Sequence, residues 1–261
     1  MSRADDLRRI GEGLARARGI LGQFSAGAAA LRLKAGGDPV TEADLRVNRA
    51  LLDCLPQGDD GWLSEETVDD RERLQRERVW VVDPLDGTRE FVEGIPEWCV
   101  SIALVERGRP VAGGICNPAT DQTVVGSLET GVTLNGEPCR TRAIDSLEGL
   151  EILASRSECR RGEWRRYQGA PFEVRAMGSV AYKLSLVAAG LADATWTLVP
   201  KHEWDVAAGT ALVRAAGGAV WTPEGPEPVF NRPVPKLTGL LAAPAGLREP
   251  IQRYLATVTA G

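Results

Sequence analysis

Four acidic clusters hold the side chains best suited to chemistry: Asp44, the pair Glu65-Glu66, the run Asp83-Pro84-Leu85-Asp86-Gly87-Thr88, and Asp205 after Trp204. Taken singly, three of them have ordinary explanations. Asp44 fits the third position of a helix cap, Glu65-Glu66 a solvated turn, and Asp205 a first helical turn where the macrodipole favours an anion. Asp83 and Asp86 resist that treatment. Their run follows a short apolar segment that reads as a buried strand, and it aims two carboxylates and a free carbonyl into one small volume. Hard cations take such oxygens, and Mg²⁺ uses one or two carboxylates per ion while keeping several waters, so two or three ions could share this set. Gly87 and Thr88 then offer backbone N–H groups where a helix opens, a position that favours an anionic phosphate.

Composition narrows the alternatives. The single histidine excludes a two-histidine zinc site. Cys54, Cys99, Cys116, Cys139 and Cys159 contain no C-x-x-C pair and are odd in number, which fits scattered reduced thiols rather than a disulfide frame. The net charge of −5 comes without a block of Lys or Arg, so no basic track exists for a nucleic-acid polymer. A small phosphorylated partner remains compatible, because bound divalent ions invert the potential that carboxylates create. Arg3, Asp5, Asp6, Arg8 and Arg9 deny the N-terminus the apolar core of a signal peptide, and no later run is long and uncharged enough to span a bilayer; the expected location is the cytoplasm, with no membrane partner. At 261 residues and 43% hydrophobic, the chain can bury one large core or two smaller ones.

The elements that must position these residues follow from spacing. Leu7, Ile10, Leu14 and Leu21 have helical periodicity behind a Ser2/Asp5 cap. Lys34 to Pro39 reads as a loop, after which Thr41 and Asp44 form a capping-box pattern in front of Val47, Leu51 and Leu55. Val79 to Val82 is a β-branched strand that the proline of Asp83-Pro84 should stop. Trp98 to Val105, Pro110 to Cys116 and Thr123 to Leu128 suit an antiparallel meander, with a hairpin turn over Glu106 to Arg109. Beyond about residue 142 the rhythm alternates: strand (Leu150 to Ala154), helix (Arg161 to Tyr167), strand (Phe172 to Ala176), helix (Val180 to Ala189), strand (Thr195 to Leu198), helix (Trp204 to Ala216), strand (Ala219 to Thr222), strand (Leu237 to Ala242) and a last helix from Leu247. The expected class is α/β (α+β), in two mixed layered halves sharing an interface: an N-terminal α+β part over 1–142 with the acidic motif, and a C-terminal α/β part over 143–261 that contributes Asp205 and substrate contacts.

The run Trp80 to Phe91 (WVVDPLDGTREF), Ser64-Glu65-Glu66 before it, Trp204-Asp205-Val206-Ala207-Ala208-Gly209, the segment Asp38 to Asp44 and the pair Gly178-Ser179 together resemble the signatures of the inositol monophosphatase superfamily, in order, from about Lys34 to Gly218. The resemblance implies a layered αβαβα sandwich of the inositol monophosphatase and fructose-1,6-bisphosphatase type, and metal-assisted attack of water on a phosphate monoester. By position, Glu65, Asp83 and the Leu85 carbonyl would hold a first Mg²⁺; Asp83, Asp86 and Asp205 would hold a second; a third, looser ion would lean on Glu65. Thr88, hydrogen-bonded to Asp44, would orient and help deprotonate the attacking water, with Glu66 assisting. Substrate contacts would come from Gly87, Thr88, Ser155, Arg156, Gly178, Ser179 and Lys201. Lithium sensitivity and a homodimer are further implications.

The substrate side is split. Inositol phosphatases of the family typically carry a glutamate seven residues before the final metal-binding aspartate, where this chain has Leu198. Ser155-Arg156-Ser157 looks like the 3′(2′),5′-bisphosphate nucleotidase branch, whose motif usually continues with histidine where Glu158 stands, a carboxylate expected to repel a second phosphate unless a metal or Arg intervenes. Lys201, His202 and Arg156 are candidates to grip the rest of the substrate, and Trp98 or Trp204 to stack a base or sugar. The expected activity is hydrolysis of 3′-phosphoadenosine 5′-phosphate or inositol monophosphate. The alternatives are a metal-binding interaction protein that keeps the fold without catalysis, and a magnesium-dependent nuclease, which the missing basic track disfavours.

Overall fold

Two capping boxes start the first two helices of the computed structural model, which describes residues 2–27, 32–33 and 39–259. Ser2 and Asp5 close the N-terminus of α1 (Arg3–Leu21), and Thr41 and Asp44 that of α2 (Glu42–Leu52); each hydroxyl takes a first-turn N–H while the acid returns to the N–H of the capping residue. Between them β1 (Arg32–Leu33) pairs antiparallel with β2 (Pro39–Val40). Of the loop expected over Lys34–Pro39, residues 34–38 lie outside the described residues and Pro39 belongs to β2.

A seven-stranded sheet follows in chain order: β3 (Gly61–Ser64), β4 (Arg78–Asp86), β5 (Cys99–Glu106), β6 (Arg109–Asn117), β7 (Gln122–Ser127), β8 (Gly131–Leu134) and β9 (Glu137–Cys139), with α3 (Thr88–Glu93) between β4 and β5. Only β3 and β4 run parallel; the other neighbours are antiparallel, as the meander spacing anticipates. Arg107 and Gly108 both take positive φ (48° and 77°), the geometry of a tight two-residue hairpin turn. Alternation along β4 sends Val79 and Val81 to one face and Trp80 and Val82 to the other, all fully buried, so the sheet must be covered on both sides.

The proline at 84 does not stop β4. Pairing continues from Asp83↔Ser101 to Asp86↔Cys99 with one residue more on β4 than on β5, a bulge that absorbs the missing N–H and turns both carboxylates toward the end of the sheet.

The second half holds β10 (Glu151–Ser155), α4 (Arg156–Arg160), β11 (Glu173–Met177), α5 (Val180–Ala188), β12 (Ala194–Thr197), β13 (Lys201–His202), α6 (Glu203–Ala215), β14 (Gly218–Trp221), β15 (Lys236–Leu237), β16 (Leu240–Pro244) and α7 (Arg248–Thr259). Five of its strands form a sheet in the order β11-β10-β12-β16-β14. The helix expected over Arg161 to Tyr167 is displaced: Ser155 caps α4 earlier, Gly162 at φ 80° breaks it, and Glu163–Tyr167 is a 3-10 turn. The strand expected from Leu237 to Ala242 is split at Thr238-Gly239, so β15 pairs with β13 while β16 joins the sheet.

Three apolar clusters give the layering. One joins α1 and α2 to the outer face of the first sheet, one packs α5 and α6 between the two sheets, and one joins α7 and the 3-10 turn to the far face of the second sheet. The order is αβαβα, the expected sandwich. Gly209 allows the central layer its tightness: a Cβ there would stand 2.3 Å from that of Leu184 on α5. Among the described residues no helix is long and apolar enough to cross a membrane.

A buried carboxylate cluster as the candidate active site

Parallel pairing of β3 with β4 sets Ser64 beside Val82, so Glu65 and Asp83 leave adjacent strands at the same end, fastened by Glu65 N–H to Val82 O at 3.3 Å. Ser101, opposite Asp83 on β5, donates its hydroxyl to Trp204 O at 3.4 Å and brings the start of α6 to that point. Asp205, three residues into the helix start, accepts the His202 N–H at 3.0 Å. The result is that one carboxylate oxygen from each of Glu65, Asp83 and Asp205 lies within 4.8 Å of the others. Asp86 joins electrostatically from the bulge, its Oδ2 accepting Ser179 Oγ–H and Ala181 N–H, each at 2.7 Å.

The cluster repels itself. Asp83 is 1% exposed, and burial, followed by the charges of Glu65, Asp86 and Asp205, pushes its carboxyl well above the usual range despite the Leu85 N–H at 3.0 Å. Burial and then Asp86 and Glu65 do the same to Asp205, against a smaller opposing pull from Lys201. A set of oxygen-only donors whose like charges raise one another's proton affinity fits a hard divalent cation.

These residues line a cavity of about 480 Å³. Thr88, which lines the cavity, has its Oγ1 3.1 Å from Asp44 Oδ1 and 3.0 Å from Leu85 O. Asp44, 1% exposed, also accepts Thr41 N–H and Oγ–H through Oδ2, yet burial outweighs these bonds and raises its pKa. Gly87 turns the chain into α3 at φ 93°; a Cβ there would meet Glu97 O at 2.8 Å. Glu66 does not line the cavity; its carbonyl accepts Asn48 Nδ2–H at 3.4 Å.

The cavity lining also includes Ser155, Arg156, Gly178, Ser179 and Lys201, all expected there. Arg156 is bound to Glu97, which also accepts the Gly178 N–H at 2.6 Å. Lys201 is held by Glu158 at 3.3 Å. Glu158 is 2% exposed, lies outside the cavity wall, and accepts from Thr197 Oγ1 at 2.6 Å and Trp164 Nε1 at 3.1 Å. Leu198 packs on the third core cluster rather than lining the site. Trp98 is a core residue, edge-on to Phe91 at 4.9 Å. Trp204 does line the cavity, stacked on His202 at 4.4 Å and 5°.

Lys183 was missed by sequence reasoning. It lines the cavity, is 2% exposed, and has its pKa lowered to about 8, chiefly by burial. The signal was present: a single lysine in the otherwise uncharged α5 (VAYKLSLVA).

The sequence matches the Inositol monophosphatase family over residues 7–259. It is 35% identical to an inositol-1-monophosphatase of Rhizobium meliloti over 71% of this chain and 73% of that protein. Among solved structures it is similar to extragenic suppressor protein suhB from Bartonella henselae, with a TM-score of 0.79 and 29% identity over 95% of this chain and 97% of that one. It is also similar to CysQ from Bacteroides thetaiotaomicron, a bacterial member of the same family, with a TM-score of 0.75 and 26% identity over 92% and 97% of the two chains. Extent of match and architecture agree: the chain is a phosphatase that belongs to the inositol monophosphatase family.

Proposed function

We propose that this phosphatase removes the phosphoryl group of a small metabolite with Mg²⁺ held by Glu65, Asp83, Asp86, Asp205 and the Leu85 carbonyl. The observation that carries the reading is the convergence of Glu65, Asp83 and Asp205 oxygens within 4.8 Å, with Asp83 and Asp205 driven to high proton affinity unless a cation is present. Four carboxylates and a carbonyl suit two ions at one or two carboxylates each, with room for a third beside Glu65. Bound Mg²⁺ would supply a water of lowered pKa and charge stabilisation on phosphoryl oxygens. The chain's own part is proton handling and orientation. Thr88 Oγ1 donates to Asp44, whose raised pKa makes it a better acceptor than an exposed aspartate, so the pair can align a water and receive its proton.

For the rest of the substrate, the stacked His202 and Trp204 rings give a planar base a surface on the cavity wall, and Lys201, held by Glu158, gives a further anion a partner. These features favour 3′-phosphoadenosine 5′-phosphate. Inositol monophosphate is the second reading, supported by the named activity of the Rhizobium relative. Kinetics on both substrates with Mg²⁺ test the choice: kcat/KM at least about tenfold higher for the nucleotide is expected, the reverse ranking selects inositol monophosphate, and turnover of neither removes both.

A further inference from the structure

Lys183 on α5 has no role in the function just proposed, and its surroundings are unusual. Its Nζ lies 3.0 Å from Ser179 O, 3.3 Å from Met177 O and 3.5 Å from Gly178 O, so three consecutive carbonyls face the three N–H donors of one buried ammonium. Converging carbonyl dipoles repel one another unless a cation stands between them. The segment they belong to is held in a conformation that a non-glycine residue rarely adopts: Ser179 sits at φ 48° and ψ 117°. The same segment delivers Ser179 Oγ–H and Ala181 N–H to Asp86 Oδ2, both at 2.7 Å. Its other side is fastened by Gly178 N–H to Glu97, and Gly178 is so close to Glu90 that a Cβ would fall 2.4 Å from the carboxyl carbon.

We propose that Lys183 is a positioning residue for Asp86: its ammonium gathers the Met177, Gly178 and Ser179 carbonyls and thereby fixes the two donors that aim the Asp86 carboxylate at the cluster. The inference rests on the reading of Asp86 as a metal ligand. Groups that orient a ligating side chain typically change metal affinity by ~10–100-fold when removed. Lysine suits the task because its ammonium presents three rotatable donors at one point, which neither a planar guanidinium nor an amide does.

The test is direct Mn²⁺ binding by the full chain, read from the free-ion electron paramagnetic resonance signal, for the wild type, Lys183→Met, Lys183→Arg, Ser179→Ala and the Lys183→Met/Ser179→Ala double variant. Lys183→Met and Ser179→Ala are each expected to weaken Mn²⁺ about tenfold. The double variant should be no more than about twofold worse than the weaker single, since both break one link, and Lys183→Arg, whose planar guanidinium cannot face all three carbonyls from one point, should recover little of the loss. Mn²⁺ affinity of Lys183→Met within about twofold of wild type, or losses that multiply in the double variant, would overturn the proposal; so would a lowered melting temperature with unchanged Mn²⁺ affinity. If Lys183→Met does not fold, Lys183→Gln takes its place under the same criterion. A wild type that binds no Mn²⁺ would instead overturn the reading of the site itself.

Discussion

Thr88 Oγ1 and Asp44 Oδ1 lie 3.1 Å apart although they stand 44 positions apart in the chain, and the bond joins the first turn of α3, at the cavity lining, to that of α2. Each residue is a helix-start residue by local chemistry. Together they form a hydroxyl–carboxylate relay whose acid has a raised pKa.

Thr88→Ala removes the relay without touching a carboxylate of the cluster. Steady-state kinetics should show kcat reduced about a hundredfold, with the Mg²⁺ concentration for half-maximal activity changed less than about threefold. Thr88→Ser should restore most of the rate. A loss confined to Mg²⁺ dependence would assign Thr88 to the metal instead.

Asp83→Asn should abolish turnover by at least about a hundredfold and yet stabilise the metal-free protein at pH 8. The folded-state pKa of Asp83 lies well above its unfolded value, so at pH values between the two the folded state binds the extra proton. Its contribution to stability therefore falls as pH rises through that window, and above it the ionised group is a burden. Melting with EDTA should show a higher midpoint for Asp83→Asn than for wild type at pH 8, and the gap should close near pH 5. Equal midpoints at pH 8 would contradict the buried like-charge account.

Lys201 is tethered by Glu158 and lines the cavity. Lys201→Ala should raise KM about fivefold or more with kcat within about twofold, and Glu158→Gln should shift KM in the same direction by less. A drop in kcat alone would place Lys201 at the reacting phosphoryl group.

Gly87→Ala forces a side chain onto φ 93° and against Glu97 O at 2.8 Å. Strain of about 1–3 kcal/mol should lower the melting temperature by roughly 3 °C or more, with Thr88 displaced and kcat reduced in parallel. An unchanged melting curve would show that the turn relaxes without cost.

Much of this was legible locally. The Ser2/Asp5 and Thr41/Asp44 boxes, the Arg107-Gly108 turn and the strand–helix alternation after residue 150 are short-range patterns, and the structure contains them. The convergence of Glu65, Asp83 and Asp205 came from the family resemblance; the physical reasons, parallel β3/β4 pairing and the Ser101–Trp204 contact, are tertiary. Pro84 misled because its missing N–H falls in a bulge, where it costs no ladder bond. The partners of Glu158, Thr197 and Lys201, lie 39 and 43 positions away, beyond the reach of local patterns. The lone Lys183 in the uncharged α5 was a signal in the sequence, but its partners are backbone carbonyls, which the residue types do not identify.

The central claim, that the carboxylate cluster works through a divalent ion on a phosphate ester, is tested most directly by inorganic phosphate release from small monoesters with and without Mg²⁺. The account predicts release that requires Mg²⁺, stops with EDTA and returns when the ion is restored. Release that is indifferent to EDTA, or none from any monoester at saturating Mg²⁺, would contradict it.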